Sequence, residues 1–90
     1  FSVLVAESAR RSFEETDAET KKRLRRAFGR LEEDPFLSRS GADIKKLRWL
    51  ANPALYRIRA GDYRMIYSVE NDEVKVTFII HRSKGYRWLE

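Results

Sequence analysis

Apolar and polar residues alternate most clearly in the middle of the chain, over residues 55–67, LYRIRAGDYRMIY. A period of two predicts two β-strands, residues 55–60 and 62–67. The Gly61-Asp62 pair between them predicts a two-residue hairpin turn, because glycine can take the positive φ that such a turn needs. The rest of the chain is best understood around this hairpin.

Each predicted strand of the hairpin has two different faces. The first strand has Leu55, Arg57 and Arg59 on one face, with Tyr56 and Ile58 on the other. The second strand has Tyr63, Met65 and Tyr67 on one face, with Arg64 and Ile66 on the other. Three arginines therefore lie on adjacent strands, within reach of one another. Like charges side by side destabilise a sheet, so an anionic partner is expected.

A short apolar strand at residues 1–5 and two helices are predicted ahead of the hairpin. The first helix is expected to begin at Ser8, with Ala9 and Phe13 as core contacts. Thr16 and Glu19 have the spacing of a capping box and predict the start of the second helix. Its apolar stripe follows the spacing i, i+3, i+4, i+7, and consists of Leu24, Ala27, Phe28 and Leu31. Asp34-Pro35 is expected to end it.

The second helix is also crowded with cations outside its apolar stripe. They are Lys21, Lys22, Arg23, Arg25, Arg26 and Arg30. Such a run could contact RNA, but a solvated helix face explains it better.

Two further strands flank the hairpin in the sequence. Residues 44–50 predict a short strand with Ile44 inward, and Asn71-Asp72 predicts a turn before a final strand. The residues expected to alternate along that strand are Val74, Val76, Phe78 and Ile80. The predicted fold is therefore α+β: an N-terminal strand, two helices, then a three- to four-stranded antiparallel sheet packed on the helical pair. Ninety residues make one domain, spanning 1–90.

The net charge of +5 is unevenly distributed along the chain. Residues 1–43 hold nine Lys/Arg and nine Asp/Glu, whereas residues 44–90 hold ten and five. A one-sided basic surface favours a polyanion such as nucleic acid, or an acidic protein partner. The alternative is a basic protein kept soluble by its charge. No apolar run approaches the ~18 residues that a membrane span needs, and the absence of cysteine fits a reducing cytoplasm.

Familiar catalytic motifs are absent from the sequence. It has no Gly-rich phosphate loop, no Cys/His metal spacing and no motif for a Ser-His-Asp arrangement. Neither a cofactor nor a small-molecule ligand is expected. Catalysis would have to use arginines, the single histidine and a tyrosine, which points to phosphodiesters. The C-terminal segment 81–90, HRSKGYRWLE, interleaves cations and aromatics as single-stranded RNA sites do, although Tyr86 and Trp88 could equally cover the sheet.

Several of these stretches together resemble the RelE/ParE superfamily of bacterial and archaeal toxins. They are YRIRAGDYRMIYSV at 56–69, LEEDP at 31–35, the Lys46-Leu47 pair, and the segment from His81-Arg82 to Tyr86. The resemblance spans nearly the whole chain and implies a RelE-like, microbial-RNase-like fold. It implies one of two activities. RelE-like members are ribosome-dependent endonucleases that cut mRNA, inhibit translation and are neutralised by a cognate antitoxin, whereas ParE-like members poison DNA gyrase.

The positions of the RelE pattern favour the first activity. Arg57 and Arg59 fill its two basic positions before the turn, and Arg64 is the arginine of the GDYR motif. Arg82 matches the basic residue after the last strand and Tyr86 the C-terminal tyrosine. The resemblance thus implies metal-independent cleavage by 2′-hydroxyl attack in the cytoplasm, with an antitoxin, the ribosome and mRNA as partners. Gyrase poisoning, or a binding module that docks an acidic antitoxin segment, remains the alternative.

One departure from the family concerns the general base. Some RelE-like enzymes have lysines where this chain has Arg57 and Arg59, and arginine is a poor base because it is effectively always protonated. His81, with an unperturbed pKa of about 6.5, is the better candidate. The alternative is that His81 is a structural hydrogen-bond partner at a strand end.

Overall fold

The computed structural model describes residues 1–48 and 53–84. Within them lie a five-stranded sheet in the order β1-β5-β4-β3-β2 and two helices. The elements are β1 (Ser2–Val5), α1 (Glu7–Glu14), α2 (Ala18–Glu33), β2 (Ile44–Arg48), β3 (Leu55–Ala60), β4 (Tyr63–Glu70) and β5 (Glu73–His81), followed by a 3₁₀ turn (Arg82–Lys84). The predicted α+β order is confirmed. The part of the predicted strand at residues 49–50 lies outside the described residues.

The sheet is mixed rather than wholly antiparallel. Strands β2 to β5 pair antiparallel with their neighbours, as predicted. Strand β1 adds to the edge of β5 in parallel, with Val3 opposite Val74 and Val5 opposite Val76. Parallel neighbours need a crossover connection, and here the chain between β1 and β5 includes both helices.

Both helices contribute to the main core, which lies on one side of the sheet. The predicted apolar face of α2 is confirmed, with Leu24, Ala27 and Leu31 buried and Phe28 packed against them. The buried residues that the sheet contributes to this core are Ile44, Ile58, Ala60, Met65, Tyr67, Val74, Val76 and Ile79. Among the described residues, no helix is long and apolar enough to cross a membrane.

The two helices begin one residue away from their predicted starts, and the predicted capping box is wrong. Helix α1 begins at Glu7, and the Ser8 hydroxyl instead donates a hydrogen bond to the carbonyl of Thr77 at 2.9 Å. The α2 cap is Asp17, whose carboxylate accepts from the amide of Thr20 at 2.8 Å. The Thr16 hydroxyl donates back to the carbonyl of Phe13 at 2.7 Å. Threonine and aspartate can both cap a helix, and here the Asp17 carboxylate, not the Thr16 hydroxyl, accepts from the free amide of the first turn.

The end of α2 agrees with its prediction. The helix ends at Glu33 with Asp34 as its C-terminal cap. The Asp34 carboxylate accepts from the amides of Phe36 and Leu37 at 2.8 and 3.1 Å, and these bonds lower its pKa. The buried Tyr67 hydroxyl donates to the carbonyl of Pro35 at 2.7 Å and so connects β4 to this turn.

The predicted alternation along β5 is wrong in its second half. Val74 and Val76 are buried in the main core, but the register then shifts between Ile66 and Tyr67 of β4. The extra residue of this bulge reverses which β5 side chains face the helices. Ile79 therefore enters the main core, whereas Ile80 packs with Ile66 on the other side.

Candidate functional site

The three arginines of the hairpin share the face of the sheet that points away from the helices. Arg59 lies directly opposite Arg64 in the β3–β4 pairing, and Arg57 lies opposite Ile66. Their neighbours Ile58 and Met65 point into the main core, so the alternation predicted from the sequence is correct. The turn at Gly61, with φ of 62°, is also as predicted. We call Arg57, Arg59 and Arg64 the arginine face.

Asp43, just before β2, supplies an anion to this face. Arg57 Nη1 donates to the Asp43 carbonyl at 3.0 Å and to its Oδ1 at 3.1 Å. Arg59 Nη1 lies 3.5 Å from Oδ2 of the same carboxylate. The hydrogen bond from Arg57 and the positive charge of the two arginines hold the pKa of Asp43 below its usual range. The chain itself therefore provides part of the compensation that three neighbouring cations require.

The pattern of residues along the chain does not reveal the role of Asp43. The signal for it was the strand pairing: Ile44 lies opposite Ile58, which places the preceding residue beside Arg59. The amide of Arg59 donates to the Asp43 carbonyl at 3.1 Å. Placing Asp43 beside Arg59 requires the register in which β2 pairs with β3. The alternation of polar and apolar residues within each strand does not determine that register.

Arg64 is the most buried of the three arginines, with 7% of the residue exposed. Its Nη1 donates to the carbonyls of Tyr63 and Gly61 at 3.1 and 3.4 Å. The Nε atoms of Arg64 and Arg57 are buried and have no acceptor within the described residues. Buried N–H groups without an acceptor are rare and call for an explanation. On a face with three cations, an anionic ligand is a chemically suitable acceptor.

Arg82 lies at the end of the sheet where the hairpin turns. Its amide donates to the carbonyl of Asp62 at 2.8 Å, and its Nε lies 3.6 Å from the Asp62 carboxylate. Both side chains are about two-thirds exposed, at 67% and 65%. The structure thus brings Arg82 to the same end of the hairpin as the Arg59–Arg64 pair.

His81 lies on the opposite side of the sheet from the arginine face. It is paired with Tyr63, and the two rings meet edge to face with centroids 5.1 Å apart. Its Nδ1 accepts from the amide of Ser83 at 3.1 Å and lies 2.7 Å from the Ser83 hydroxyl. Both rings line a cavity of about 280 Å³ beside Ser12 and Glu15 of the α1 end. The structure therefore does not bring His81 together with the arginines.

The last predicted site residue, Tyr86, lies outside the described residues. Among residues 1–48 and 53–84, no group of three or more His, Cys, Asp or Glu side chains could hold a metal ion. The site that the structure assembles is thus the arginine face with Asp43, and Arg82 beside the turn.

A family model for the ParE toxin of type II toxin-antitoxin systems matches residues 2–86. The chain belongs to this toxin family. It is therefore a toxin of a type II toxin-antitoxin system, and the resemblance to the RelE/ParE superfamily is confirmed. No curated protein sequence matches the toxin.

Solved structures similar to the toxin include two archaeal complexes at 25% sequence identity. The RelB-RelE antitoxin-toxin complex from Methanococcus jannaschii has a TM-score of 0.71, covering 90% of this chain and 92% of that one. The RelE-RelB complex from Pyrococcus horikoshii has a TM-score of 0.76, covering 94% and 98%. A copper-bound mutant toxin from Helicobacter pylori, at 15% identity, has a TM-score of 0.69 over 94% and 98% of the two chains and shares the fold.

Proposed function

We propose that this toxin is a ribosome-dependent mRNA endonuclease that inhibits translation. The observation that carries the proposal is the arginine face itself: Arg59 and Arg64 directly opposite each other, with Arg57 on the same side of the sheet. Three guanidinium groups in this arrangement suit a phosphodiester, which offers several oxygens to planar donors. The likeness to two RelE-RelB complexes also favours this activity.

The proposed reaction is attack by the 2′-hydroxyl of mRNA on the adjacent phosphorus. A bond forms between O2′ and phosphorus, the bond from phosphorus to O5′ breaks, and the products are a 2′,3′-cyclic phosphate and a 5′-hydroxyl. The hydroxyl loses a proton and O5′ gains one, so the reaction balances without a redox partner. We propose that the arginines supply the charge stabilisation that a metal ion gives in other nucleases. Arg57, Arg59 and Arg64 stabilise the negative charge that grows on the phosphate oxygens, and Arg82 lies near the leaving O5′.

Asp43 prepares the arginines for this task. Arg57 is only 12% exposed and keeps two hydrogen bonds to Asp43. Arg59 is 49% exposed, and its contact with the same carboxylate is longer, at 3.5 Å. Arg59 can therefore leave the Asp43 carboxylate and bind the incoming phosphate, while Arg57 keeps its hydrogen bonds to Asp43. Charges that are positioned before the reaction need little rearrangement during it.

The ribosome supplies most of the substrate's positioning in this proposal. Aligning the 2′-hydroxyl with the phosphorus can provide a large part of the rate, and in this proposal the ribosome holds the mRNA in that alignment. We therefore expect weak or absent cleavage of free RNA. Tyr86 is proposed to stack on or orient a base. The toxin would act in the cytoplasm, where ribosomes translate, as a single domain over residues 1–90.

We further propose that a cognate antitoxin neutralises the toxin. The two archaeal neighbours are complexes with the antitoxin RelB. The toxin has exposed apolar residues near the end of α2, including Phe36 at 49% and Leu37 at 60%, in addition to its basic surface. An amphipathic helix or an extended acidic segment has the matching chemistry.

Gyrase poisoning is the second candidate, because the matching family model is that of ParE. One pair of assays separates the two. In a cell-free translation reaction, the endonuclease cuts mRNA within codons on ribosomes, whereas a gyrase poison produces gyrase-dependent breaks in supercoiled DNA. We expect cut mRNA and intact DNA. Gyrase-dependent breaks with intact mRNA would replace the proposed function by the second candidate.

A further inference from the structure

Helix α2 presents a second row of arginines next to the hairpin turn. Arg23, Arg26 and Arg30 follow the spacing i, i+3, i+7 and lie within an arc of ~60° along about 10 Å of the helix. Each immediately precedes a buried residue of the core stripe: Leu24, Ala27 and Leu31. We call Arg23, Arg26 and Arg30 the α2 stripe. The cations Lys21 and Arg25 lie elsewhere, against the ring of Phe13.

The α2 stripe meets two turns that lead directly to the arginine face. The side chain of Arg23 lies across Gly61, so closely that a Cβ there would come within 2.9 Å of Nη1. The carbonyl of the same Gly61 accepts from Arg64. The guanidinium of Arg30 lies over Gly41, where a Cβ would be 3.4 Å from Nη2. Gly41 comes two residues before Asp43, which contacts Arg57 and Arg59. The α2 stripe therefore lies beside two turns that adjoin the arginine face, one at Gly61 and one at Gly41.

The charge of the α2 stripe is only partly compensated. Arg23 lies 3.7 Å from Glu19, and Arg30 lies 3.4 Å from Glu33. Glu33 is shared with Arg39 at the same distance. Within the described parts of the chain, Arg26 has no ion pair. Exposed pairs of this kind hold their partners weakly, so Arg23 and Arg30 can exchange a carboxylate for another anion, and Arg26 can bind one without giving up an ion pair.

The surroundings of the α2 stripe favour a nucleic acid over a protein as its ligand. Protein interfaces are built around buried apolar or aromatic anchors. The exposed large apolar residues of the described chain all lie outside α2. Phe36 and Leu37 follow its end, where the antitoxin is proposed to bind, and the others are Phe1, Leu4, Val5 and Phe78. Nucleic-acid interfaces are more polar and strongly positive. Arginine also binds phosphate with two parallel hydrogen bonds, which lysine cannot do.

We propose that the α2 stripe is a second RNA-binding surface, which holds the sugar-phosphate backbone on the helix side of the hairpin turn. The inference rests on the proposed function only in the choice of RNA as the polymer. The strand would pass from the arginine face, around Gly61, to Arg23 and on along α2. Contacts to the backbone position RNA without selecting a sequence.

The test measures binding of a fluorescent 2′-O-methyl oligoribonucleotide, which lacks the 2′-hydroxyl and cannot be cleaved. The test variant replaces Arg23, Arg26 and Arg30 by Gln. The control variant replaces Arg10, Arg11 and Arg25, on α1 and on the α1-facing side of α2, also by Gln. Each variant lowers the net charge from +5 to +2, because three of the positive charges are removed. Thermal unfolding checks that both remain folded, and the single substitution Arg26→Glu is a third, minimally invasive variant.

We expect the test variant to bind about tenfold more weakly or worse, and its slope of log K against log salt to fall by about 2. Arg26→Glu should weaken binding in the same direction, and the control variant should bind as the parent does. Equal losses in test and control variants, or none in the test variant, would overturn the proposal. Binding of fluorescent polyglutamate is measured in parallel. A test variant that loses polyglutamate binding but keeps RNA binding would also overturn the proposal, because the ligand would then be an acidic protein. Because this assay needs no cleavage, its result stands independently of the mRNA assay.

Discussion

Arg64 is the residue on which the proposed chemistry depends most. Its guanidinium is buried at the hairpin turn and keeps one N–H without an acceptor in the described residues. Arg64→Ala should lower the cleavage rate on ribosomes by about 100- to 1000-fold. The loss of its hydrogen bonds to Tyr63 and Gly61 should also lower the free energy of unfolding, while the fold is retained.

The matched control for this prediction is Lys75→Ala, which removes an exposed cation from β5. It should leave the cleavage rate unchanged within about twofold. Single-turnover kinetics measures the rate, and urea unfolding separates it from stability. An Arg64→Ala protein that cleaves as fast as the parent would exclude Arg64 from the chemistry.

Asp43 predicts a specific dependence of stability on pH. Its pKa is lower in the folded protein, so its contribution is present above the unfolded pKa of about 4 and is lost as the pH falls through the folded value. Asp43→Asn should therefore destabilise the protein at pH 7, by about 0.5–1 kcal/mol because the carboxylate is half exposed. The difference from the parent should shrink as the pH falls below about 4.

Urea unfolding of both proteins at pH 7 and pH 3 measures this difference. Asp72→Asn is the control, since within the described residues the Asp72 side chain has no ion pair. A difference between Asp43→Asn and the parent that stays constant with pH would mean that the carboxylate charge does not hold the arginines.

We expect His81 to have a structural role rather than a part in the reaction. Its Nδ1 accepts from the Ser83 amide, and its ring lies on the helix side of the sheet. His81→Gln should therefore change the single-turnover rate by no more than about threefold, because a general base would contribute at least about 100-fold. Single-turnover kinetics on ribosomes measures both rates. A loss of about 100-fold or more in the variant would make His81 the base after all.

The secondary-structure elements show which parts of the fold a sequence pattern can predict. The apolar period of α2 and the alternation in the hairpin are local, and both agree with the structure. The parallel pairing of β1, the bulge at Thr77 and the position of Asp43 all depend on how strands align with one another. Register is set by contacts between distant residues, so the pattern within one strand cannot determine it. For the same reason the sequence predicted the arginine face but placed His81 with it.

The start of α2 provides a prediction at the scale of this element. Asp17→Ala removes the carboxylate that accepts from the Thr20 amide and should lower the free energy of unfolding by about 1 kcal/mol. Glu19→Ala should cost less, because Glu19 makes only a long, exposed pair with Arg23. Chemical denaturation compares the two variants. A larger loss for Glu19→Ala would favour the capping box that the sequence suggested.

The whole molecule combines a neutral helical half with a basic hairpin half, and its proposed antitoxin should respond to both. A partner that binds only the folded toxin stabilises it by mass action. At 100 times its dissociation constant, the antitoxin should add about 2.7 kcal/mol, which raises the melting temperature by about 10 °C or more. Thermal unfolding of the toxin with and without its co-expressed partner measures the shift. An unchanged melting temperature would contradict the proposed interaction.

The chemistry of the cut ends tests the central claim most directly. The toxin is added to ribosomes stalled on a defined mRNA, and both ends at the cleavage site are identified by mass spectrometry. Attack by the 2′-hydroxyl on the arginine face predicts a 2′,3′-cyclic phosphate on one fragment and a 5′-hydroxyl on the other, and Arg64→Ala should form both about 100- to 1000-fold more slowly. Uncut mRNA, or ends that carry a 3′-hydroxyl and a 5′-phosphate, would contradict it.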